Sequence, residues 1–442
     1  MSQACHETLP ECLFRVKWLE ISIVFAYNSL CKLVAQRGLL LSRRSNPEIR
    51  SNAMHLKRVI VNKKAFHWYR TGHPWIYRDD LVSTGLARSG EVVDVFNEQK
   101  SFLGKALYGD ASKIALRLLT RKEEAVDETF WYGRIRDAVD RRKGIMTADG
   151  AVRLIYSEGD GLPGLIADRY AGWLVLQALV PGIDARLDII SSILDELLKP
   201  EGIVCRNDAS SRSLDGLPLE KKLLRGVKPG LIRVREGATS YLVDVWNGHK
   251  TGAYLDQREN RLLLTKYVRR RVLDCFSYEG QFALHLAKSA DSVTAVESSQ
   301  DAIVLLKKNL GLNGLKNVRA VQGNAFEFLR RCHRDKKRFG LIILDPPPLA
   351  RKKMHTEQAL RGYKEINLRA MHLLPEGGVL ATFCCSHSIP RDLFLEVLRE
   401  SATDARCSLR LLEELGQASD HPILLNVPET AYLKGFVLER SG

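Results

Sequence analysis

Cys385 is the residue of this chain best suited to covalent chemistry. It follows Thr382, Phe383 and Cys384 and precedes Ser386 and His387, at the end of an apolar run that reads as a strand. A thiolate placed at a strand end and facing a bound cofactor is a candidate nucleophile. Carbon 5 of a pyrimidine is a poor nucleophile, but sulfur addition at carbon 6 converts it to an enamine-like carbon that can accept a methyl group. Adjacent strand residues face opposite ways, so only one of Cys384 and Cys385 can meet the site. Two buried structural cysteines are the plainer alternative. His387 could share the face of Cys385 and favour its thiolate; a solvated loop histidine is the simpler reading.

Four further strand ends carry polar residues of matching character. Asp274-Cys275-Phe276-Ser277-Tyr278-Glu279-Gly280 closes one strand, and Gly280 suits a tight turn into a helix whose N-terminus binds a charged group. Glu297 ends the next, 17 residues beyond Gly280, where a carboxylate can accept from a ribose diol. Asn324 follows the third, and its amide can donate to and accept from an adenine edge. Singly, these residues also read as a turn, a solvated strand end and a helix N-cap. Taken in order they describe a pocket for an adenosine-containing cofactor, and no G-x-G-x-x-G points to a dinucleotide. The fourth strand ends in Leu344-Asp345-Pro346-Pro347-Pro348, where proline stops the ladder and holds Asp345 against a planar base, or serves only as a strand stop. An aromatic residue after the two prolines would suggest methylation of an exocyclic amine. Pro348 occupies that place.

These residues need a doubly wound sheet to bring them together. From about residue 241, strand candidates at 272–276, 292–297, 317–322, 340–345, 378–384 and 431–439 alternate with helical segments at 280–290, 300–312, 324–332, 357–374 and 390–403. That alternation predicts a Rossmann-like, mostly parallel α/β sheet whose ligands lie beyond the strand carboxyl ends. Upstream, residues 54–114 read as short strands broken by Gly and Asn, a small all-β module. Between them lies a charged helix at 128–144, then a strand–strand–helix–strand–strand stretch with strands at 152–156 and 173–179 and a helix at 186–199.

The 442 residues carry 67 Lys+Arg against 52 Asp+Glu, a net charge of +15 that favours a polyanion partner such as nucleic acid. Nine cysteines at irregular spacing, with no C-x-x-C pair, suit a reducing, cytoplasmic compartment and exclude a zinc ribbon. Residues 21–41 come closest to a membrane span, but Lys32 and Arg37 interrupt them. Residues 1–53 look detached from the rest. The expectation is that the functional chain begins near Met54 and that 1–53 is a non-native or dispensable extension.

From Met54 onward the motifs resemble the PUA-fused class I S-adenosylmethionine-dependent methyltransferases that form 5-methylcytosine in large-subunit (23S) ribosomal RNA. The resemblance is carried by Gly72-His73-Pro74-Trp75-Ile76-Tyr77, by the Gly159–Arg169 stretch, by Gly248-His249-Lys250-Thr251-Gly252, by Leu255-Asp256-Gln257-Arg258, and by Asp274–Gly280, Leu344–Pro347, Cys385-Ser386, Asp420-His421-Pro422 and Tyr432–Phe436. It implies a PUA RNA-binding domain at 54–125, a central α/β domain of EEHEE type at 126–238 and a methyltransferase domain at 239–442. It further implies that Phe276, Ser277, Tyr278, Glu279 and Gly280 line the methionine end of the cofactor. Glu297 would take the ribose and Asn324 the adenine, with Gln257 and Arg258 closing over the cofactor. Asp345 would orient the cytosine beside the cofactor, and Cys385 would be the nucleophile. The chain departs from the familiar pattern at Asn324, where Asp is frequent, and at His249, where Gln is familiar; Cys384 puts a second thiol beside the nucleophile.

The reading is thus a 23S rRNA cytosine-C5 methyltransferase that uses S-adenosylmethionine and no metal, with no membrane association and with a homodimer admitted as a partner state. Lys250, Tyr254, Arg258 and the runs 269–271 and 336–338 are candidate RNA contacts, the runs being also readable as solvated faces. One rival is a class I methyltransferase acting on a base nitrogen, which has no need of Cys385. The other is a non-catalytic RNA-binding or ribosome-assembly factor that retains the fold.

Overall fold

The computed structural model describes residues 57–349 and 356–441, so the expectations for the first 53 residues and a start near Met54 lie outside the described residues. Residues 57–442 form one compact unit. Among the described residues no helix is long and apolar enough to cross a membrane.

The first module is a six-stranded sheet of β1 (Arg58–Val61), β2 (Trp75–Tyr77), β3 (Leu81–Ser83), β4 (Val92–Asn97), β5 (Phe102–Tyr108) and β6 (Ile114–Thr120), ordered β2-β6-β5-β4-β1-β3. It is not purely β. Helix α1 (Lys63–Arg70) follows β1, opened by the Asn62 side chain, which accepts from the Ala65 N–H at 2.9 Å. With Ala65 its one buried residue, α1 shows no apolar period in the sequence.

The central module opens with α2 (Glu128–Arg142), capped by the Asp127 carboxylate. Its sheet runs β11-β10-β9-β8-β7, from β7 (Ala151–Tyr156), β8 (Leu165–Tyr170), β9 (Trp173–Ala178), β10 (Gly202–Asn207) and β11 (Glu220–Arg225), with α3 (Leu187–Leu198) before β10. Strand β8 is an addition to the expected pattern. Its Asp168 is fully buried and paired bidentately with Arg153 of β7 at 2.7 and 2.8 Å, so a core strand carries charges that mask its apolar character. The β12–β13 hairpin (Ile232–Glu236, Thr239–Val243) leads into the last module.

That module is a seven-stranded sheet of β14 (Arg271–Cys275), β15 (Ser292–Glu297), β16 (Val318–Gln322), β17 (Leu341–Leu344), β18 (Val379–Cys384), β19 (Leu409–Leu415) and β20 (Lys434–Arg440), ordered β16-β15-β14-β17-β18-β20-β19. Strands β14 to β18 are parallel, and β20 runs antiparallel between β18 and β19. The sequence pattern anticipated all but β19, whose alternating charges (Leu409 to Leu415 includes Arg410, Glu413 and Glu414) resemble a surface segment. Helices α4 (Arg258–Leu264), α5 (Gln281–Leu286), α6 (Gln300–Leu312), α7 (Ala325–Arg334), α8 (Thr356–Leu373) and α9 (Arg391–Ala405) cover both faces.

Strand order reverses between β14 and β17, which places the ligand crevice at their carboxyl ends. Both strands are almost wholly buried, and β17 (Leu-Ile-Ile-Leu) is buried along its length. Period-2 alternation sends Leu273, Cys275, Ile342, Leu344 and Cys384 into one core cluster and Val272, Ile343, Ala381 and Phe383 into the other. Cys384 is therefore a core thiol, and Cys385 packs at the border of the opposite cluster.

Candidate active site

The loop after β14 is built from backbone that few residues tolerate. Phe276, Tyr278 and Gly280 have φ of 62°, 50° and 86°. A Cβ on Gly280 would stand 2.9 Å from Leu306 Cγ, so this position needs glycine on two counts. The loop is pinned by Ser277 N–H to the Val296 carbonyl at 3.0 Å and by Tyr278 N–H to Glu297 Oε2 at 2.9 Å. Ser277 and Glu279 turn inward, and Phe276 and Tyr278 remain half-exposed. Burial pushes the Glu279 carboxyl up to about 8.

Helix α5 does not present a free N-terminus to an external anion. Its first turn is answered by the chain's own Asp274, whose Oδ2 accepts from Ala283 N–H at 3.1 Å. Burial raises the Asp274 carboxyl well above its ordinary range. Glu297 is fixed by three donors: Tyr278 N–H on one oxygen, and Ser299 N–H (2.8 Å) and the Ser298 hydroxyl (3.1 Å) on the other. Asn324 is the N-cap of α7, its Oδ1 accepting from Phe326 and Glu327 N–H. The cap and the adenine contact are compatible, because Nδ2 is left to meet a base edge.

Across the crevice the Cys385 thiol donates to the Pro346 carbonyl at 3.7 Å, which puts the sulfur against the Asp345-Pro346-Pro347 turn. Burial, with Asp256 adding to it, pushes the Asp345 carboxyl up to about 7, and Lys250 works against them. Burial first and the Asp345 charge second push the Cys385 thiol up to about 12, again with Lys250 opposing. His387 is exposed and stacks on the Tyr432 ring at 5.6 Å. That exposure agrees with the plainer reading of His387 as a loop residue.

Lys250 sits on the segment 248–252, between the hairpin and α4. Its Nζ donates to Asp256 Oδ2 at 2.6 Å and lies 4.6 Å from the Tyr254 ring centroid. The Tyr432 hydroxyl donates to the same Asp256 oxygen at 2.5 Å. His249 stacks on Tyr278 at 4.7 Å, its N–H donates to the Tyr278 hydroxyl, and Tyr254 stands edge-on to that ring at 5.3 Å. Sequence reasoning gave Lys250 and Tyr254 a role as candidate RNA contacts and quoted Asp256 and Tyr432 within motifs without a role. The glycines that bracket Lys250 were the available signal.

Gln257 and Arg258 part company. Gln257 is buried, its Oε1 accepts from Asn260 Nδ2 at 2.7 Å, and its side-chain amide bears on the Asp345 carboxyl. Arg258 donates to Asp420 Oδ2 at 2.7 Å, which ties α4 to the C-terminal segment. Asp420 also accepts from the Arg153 N–H, and its carbonyl accepts from Arg142. The same C-terminal segment reaches the first module through Glu429 to His73 (3.1 Å) and Asn426 to the Gly72 carbonyl (2.6 Å). The exposed run 269–271 leads into β14 and the run 336–338 precedes β17, at the end of the sheet opposite the crevice.

The crevice thus offers buried polar atoms without partners, Ser277 Oγ and Asp274 Oδ1, and the Gln257 amide beside Asp345, near the Glu297 carboxylate. The Ser277 hydroxyl and the Gln257 amide can donate to an amino-acid carboxylate, Glu297 fits a diol, and the surrounding acidic groups favour a cation such as a sulfonium.

The fold and this strand-end set define a class I methyltransferase sheet carrying a PUA-like module. Residues 59–121 match the PUA-like domain family, and 260–374 match the family described as conserved hypothetical protein 95. A Streptococcus mutans structure assigned as a SAM-dependent methyltransferase covers 87% of this chain and 100% of its own at TM-score 0.74 and 20% identity. A methyltransferase structure complexed with SAH aligns over the same shares at TM-score 0.75 and 20% identity. Among sequences, the ribosomal RNA large subunit methyltransferase I of Alteromonas mediterranea is 38% identical over 389 residues, 86% of this chain and 98% of its own. That of Klebsiella pneumoniae is 39% identical over 373 residues, 82% of this chain and 93% of its own. The chain belongs to the ribosomal RNA large subunit methyltransferase I family.

Proposed function

We propose that this chain methylates carbon 5 of a cytosine in large-subunit (23S) ribosomal RNA, with Cys385 as the covalent nucleophile. The observation that carries the reading is the place of Cys385: its sulfur lies against the Pro346 carbonyl at the open end of the strands, whereas Cys384 is sealed in the core. A methyltransferase acting on a base nitrogen has no use for a thiol there.

S-adenosylmethionine supplies the electrophilic methyl group. Ser277 and Gln257 offer donors for its amino-acid end, Glu297 accepts from the ribose and Asn324 meets the adenine. The PUA-like module and the basic surface hold structured RNA by charge and shape, and the target base leaves its stack to reach the crevice. Asp345, held near neutrality by burial, donates a hydrogen bond to the base from its protonated form. The Cys385 sulfur bonds to carbon 6 and the displaced electron pair moves toward carbon 5 and the ring nitrogen. After methylation, loss of the carbon-5 proton returns a pair that expels the sulfur and restores the ring.

Incubation of unmodified 23S rRNA with methyl-labelled S-adenosylmethionine, followed by nucleoside digestion, tests the assignment. Label in 5-methylcytidine supports it. Label in an N-methylated nucleoside supports the nitrogen-methylating rival, and cofactor binding without transfer supports the non-catalytic one.

A further inference from the structure

An aromatic wall crosses the mouth of the crevice, from the loop after β14 to the end of β18. His249 stacks on Tyr278 at 4.7 Å with 18° between the rings, and its Nδ1 meets the Tyr254 hydroxyl at 3.1 Å. The Lys250 ammonium lies over the Tyr254 and Tyr432 rings at 4.6 and 5.9 Å, and its charge is matched by Asp256 at 2.6 Å. His387 ends the row, stacked on Tyr432 at 5.6 Å and two residues beyond Cys385.

His249 is exposed, yet it is held from three sides. Tyr278 covers one face, the Tyr278 hydroxyl accepts from the His249 backbone N–H at 2.8 Å, and Tyr254 holds Nδ1. No other ring among the described residues stacks on it, so its second face is open to a ligand. The central module anchors the backbone on either side. Arg206 of β10 donates to the Val245 and Gly248 carbonyls, both at 3.0 Å, and Thr251 donates to the fully buried Asp168 of β8 at 2.5 Å. Gly252 N–H closes the turn on the His249 carbonyl at 2.9 Å. A histidine that only met solvent would need none of these restraints. Together they hold a planar ring at a fixed place beside the loop after β14. Lys228, with Nζ 4.6 Å over the ring of Trp246, adds a cation at the turn that leads to His249.

We propose that His249 is a stacking platform for an unpaired RNA base next to the target cytosine. The inference rests on the reading that a cytosine of ribosomal RNA enters this crevice, and extends it to the neighbouring nucleotide. A base that leaves its stack to enter the crevice uncovers the face of its neighbour. An aromatic ring replaces the lost base–base contact, with little regard to base identity. The cofactor's own base has its place elsewhere in that reading, at Asn324 beyond β16. Since Asp256 already matches the Lys250 charge, the wall offers rings, and Lys228 supplies the cation for an adjoining phosphate.

Binding of a short single-stranded oligocytidine to the full-length chain reads this contact without methyl transfer. Fluorescence anisotropy at raised salt suppresses the contribution of backbone charge. His249→Ala should weaken binding about tenfold, and His249→Phe, which keeps a stacking ring and loses the imidazole nitrogens, should stay within about threefold of wild type. Both variants should bind S-adenosylmethionine within about twofold of wild type by calorimetry. Wild-type affinity for the oligomer in His249→Ala, or no binding by wild type itself, overturns the proposal. Equal losses in the Ala and Phe variants overturn it too, by showing a polar contact. So does a parallel loss of cofactor affinity in His249→Ala, by showing that the ring serves the cofactor. His249-dependent binding in an enzyme that makes no 5-methylcytidine would sink the carbon-5 reading and leave the stacking platform standing. Production of 5-methylcytidine with His249-independent binding would do the reverse.

Discussion

The Cys385 thiol donates to the Pro346 carbonyl at 3.7 Å, which joins the end of β18 to the rigid turn that follows β17. That contact sets the nucleophile beside the residue that handles the base, and it separates Cys385 from its neighbour. Replacing Cys385 by Ala should lower methyl transfer by roughly 10³-fold or more. The melting temperature should hardly move, since the side chain is only half-buried. Cys384→Ala should reverse the pattern, keeping activity and lowering stability by about 1 kcal/mol through a small core cavity. Parallel activity and melting measurements on both variants check this.

Asp345 makes stability depend on pH in an unusual direction. Its folded pKa, about 7, lies above the ordinary carboxylate value, so between those limits the folded state binds more protons than the unfolded one. Its contribution is therefore most favourable at low pH and is lost as pH rises through 7. Asp345→Asn removes that burden. The variant should melt higher than wild type at pH 8, by an amount corresponding to about 1–2 kcal/mol, and the gap should close toward pH 4. The same variant should lose most of its activity.

Gly280 cannot be replaced without cost. Gly280→Ala puts a side chain at φ 86° and within 2.9 Å of Leu306 Cγ. A loss of about 1–3 kcal/mol of stability is expected, with weaker cofactor binding measured by calorimetry.

Arg258 works as a structural clamp. The pair with Asp420 is buried, 12% and 0% exposed at its two side chains, so Arg258→Met leaves that carboxylate to His421 and the Arg153 N–H. Stability should fall by about 1–2 kcal/mol, less than for a buried charge left with no partner. Cofactor affinity of the surviving folded fraction should stay within about threefold, against the expectation that this arginine closes over the cofactor.

Much of the catalytic sheet was legible because parallel strands buried on both faces are written as continuous apolar runs, as in Leu341–Leu344. The polar residues that end those runs, Glu297, Asn324, Asp345 and Cys385, stand at strand ends as anticipated, with cofactor contacts still to be tested. Reading failed where charge was buried or where apolar residues were few. Asp168 and Arg153 pair inside β8 and β7, Arg410 and Glu413 disguise β19, and α1 buries a single alanine. Long-range partners were out of reach as well: the pair of Arg258 with Asp420 and the stacking of His387 on Tyr432 join residues that spacing along the chain does not relate.

The central claim is the covalent bond between Cys385 and the base, and 23S rRNA transcribed with 5-fluorocytidine tests it most directly. Fluorine at carbon 5 cannot leave as a proton does, so the enzyme should stall as a denaturation-stable RNA adduct. The account predicts an adduct that requires S-adenosylmethionine, maps by mass spectrometry to Cys385 and is absent from Cys385→Ala. No adduct from wild-type enzyme that is active on ordinary RNA, or an adduct on Cys384, would contradict it.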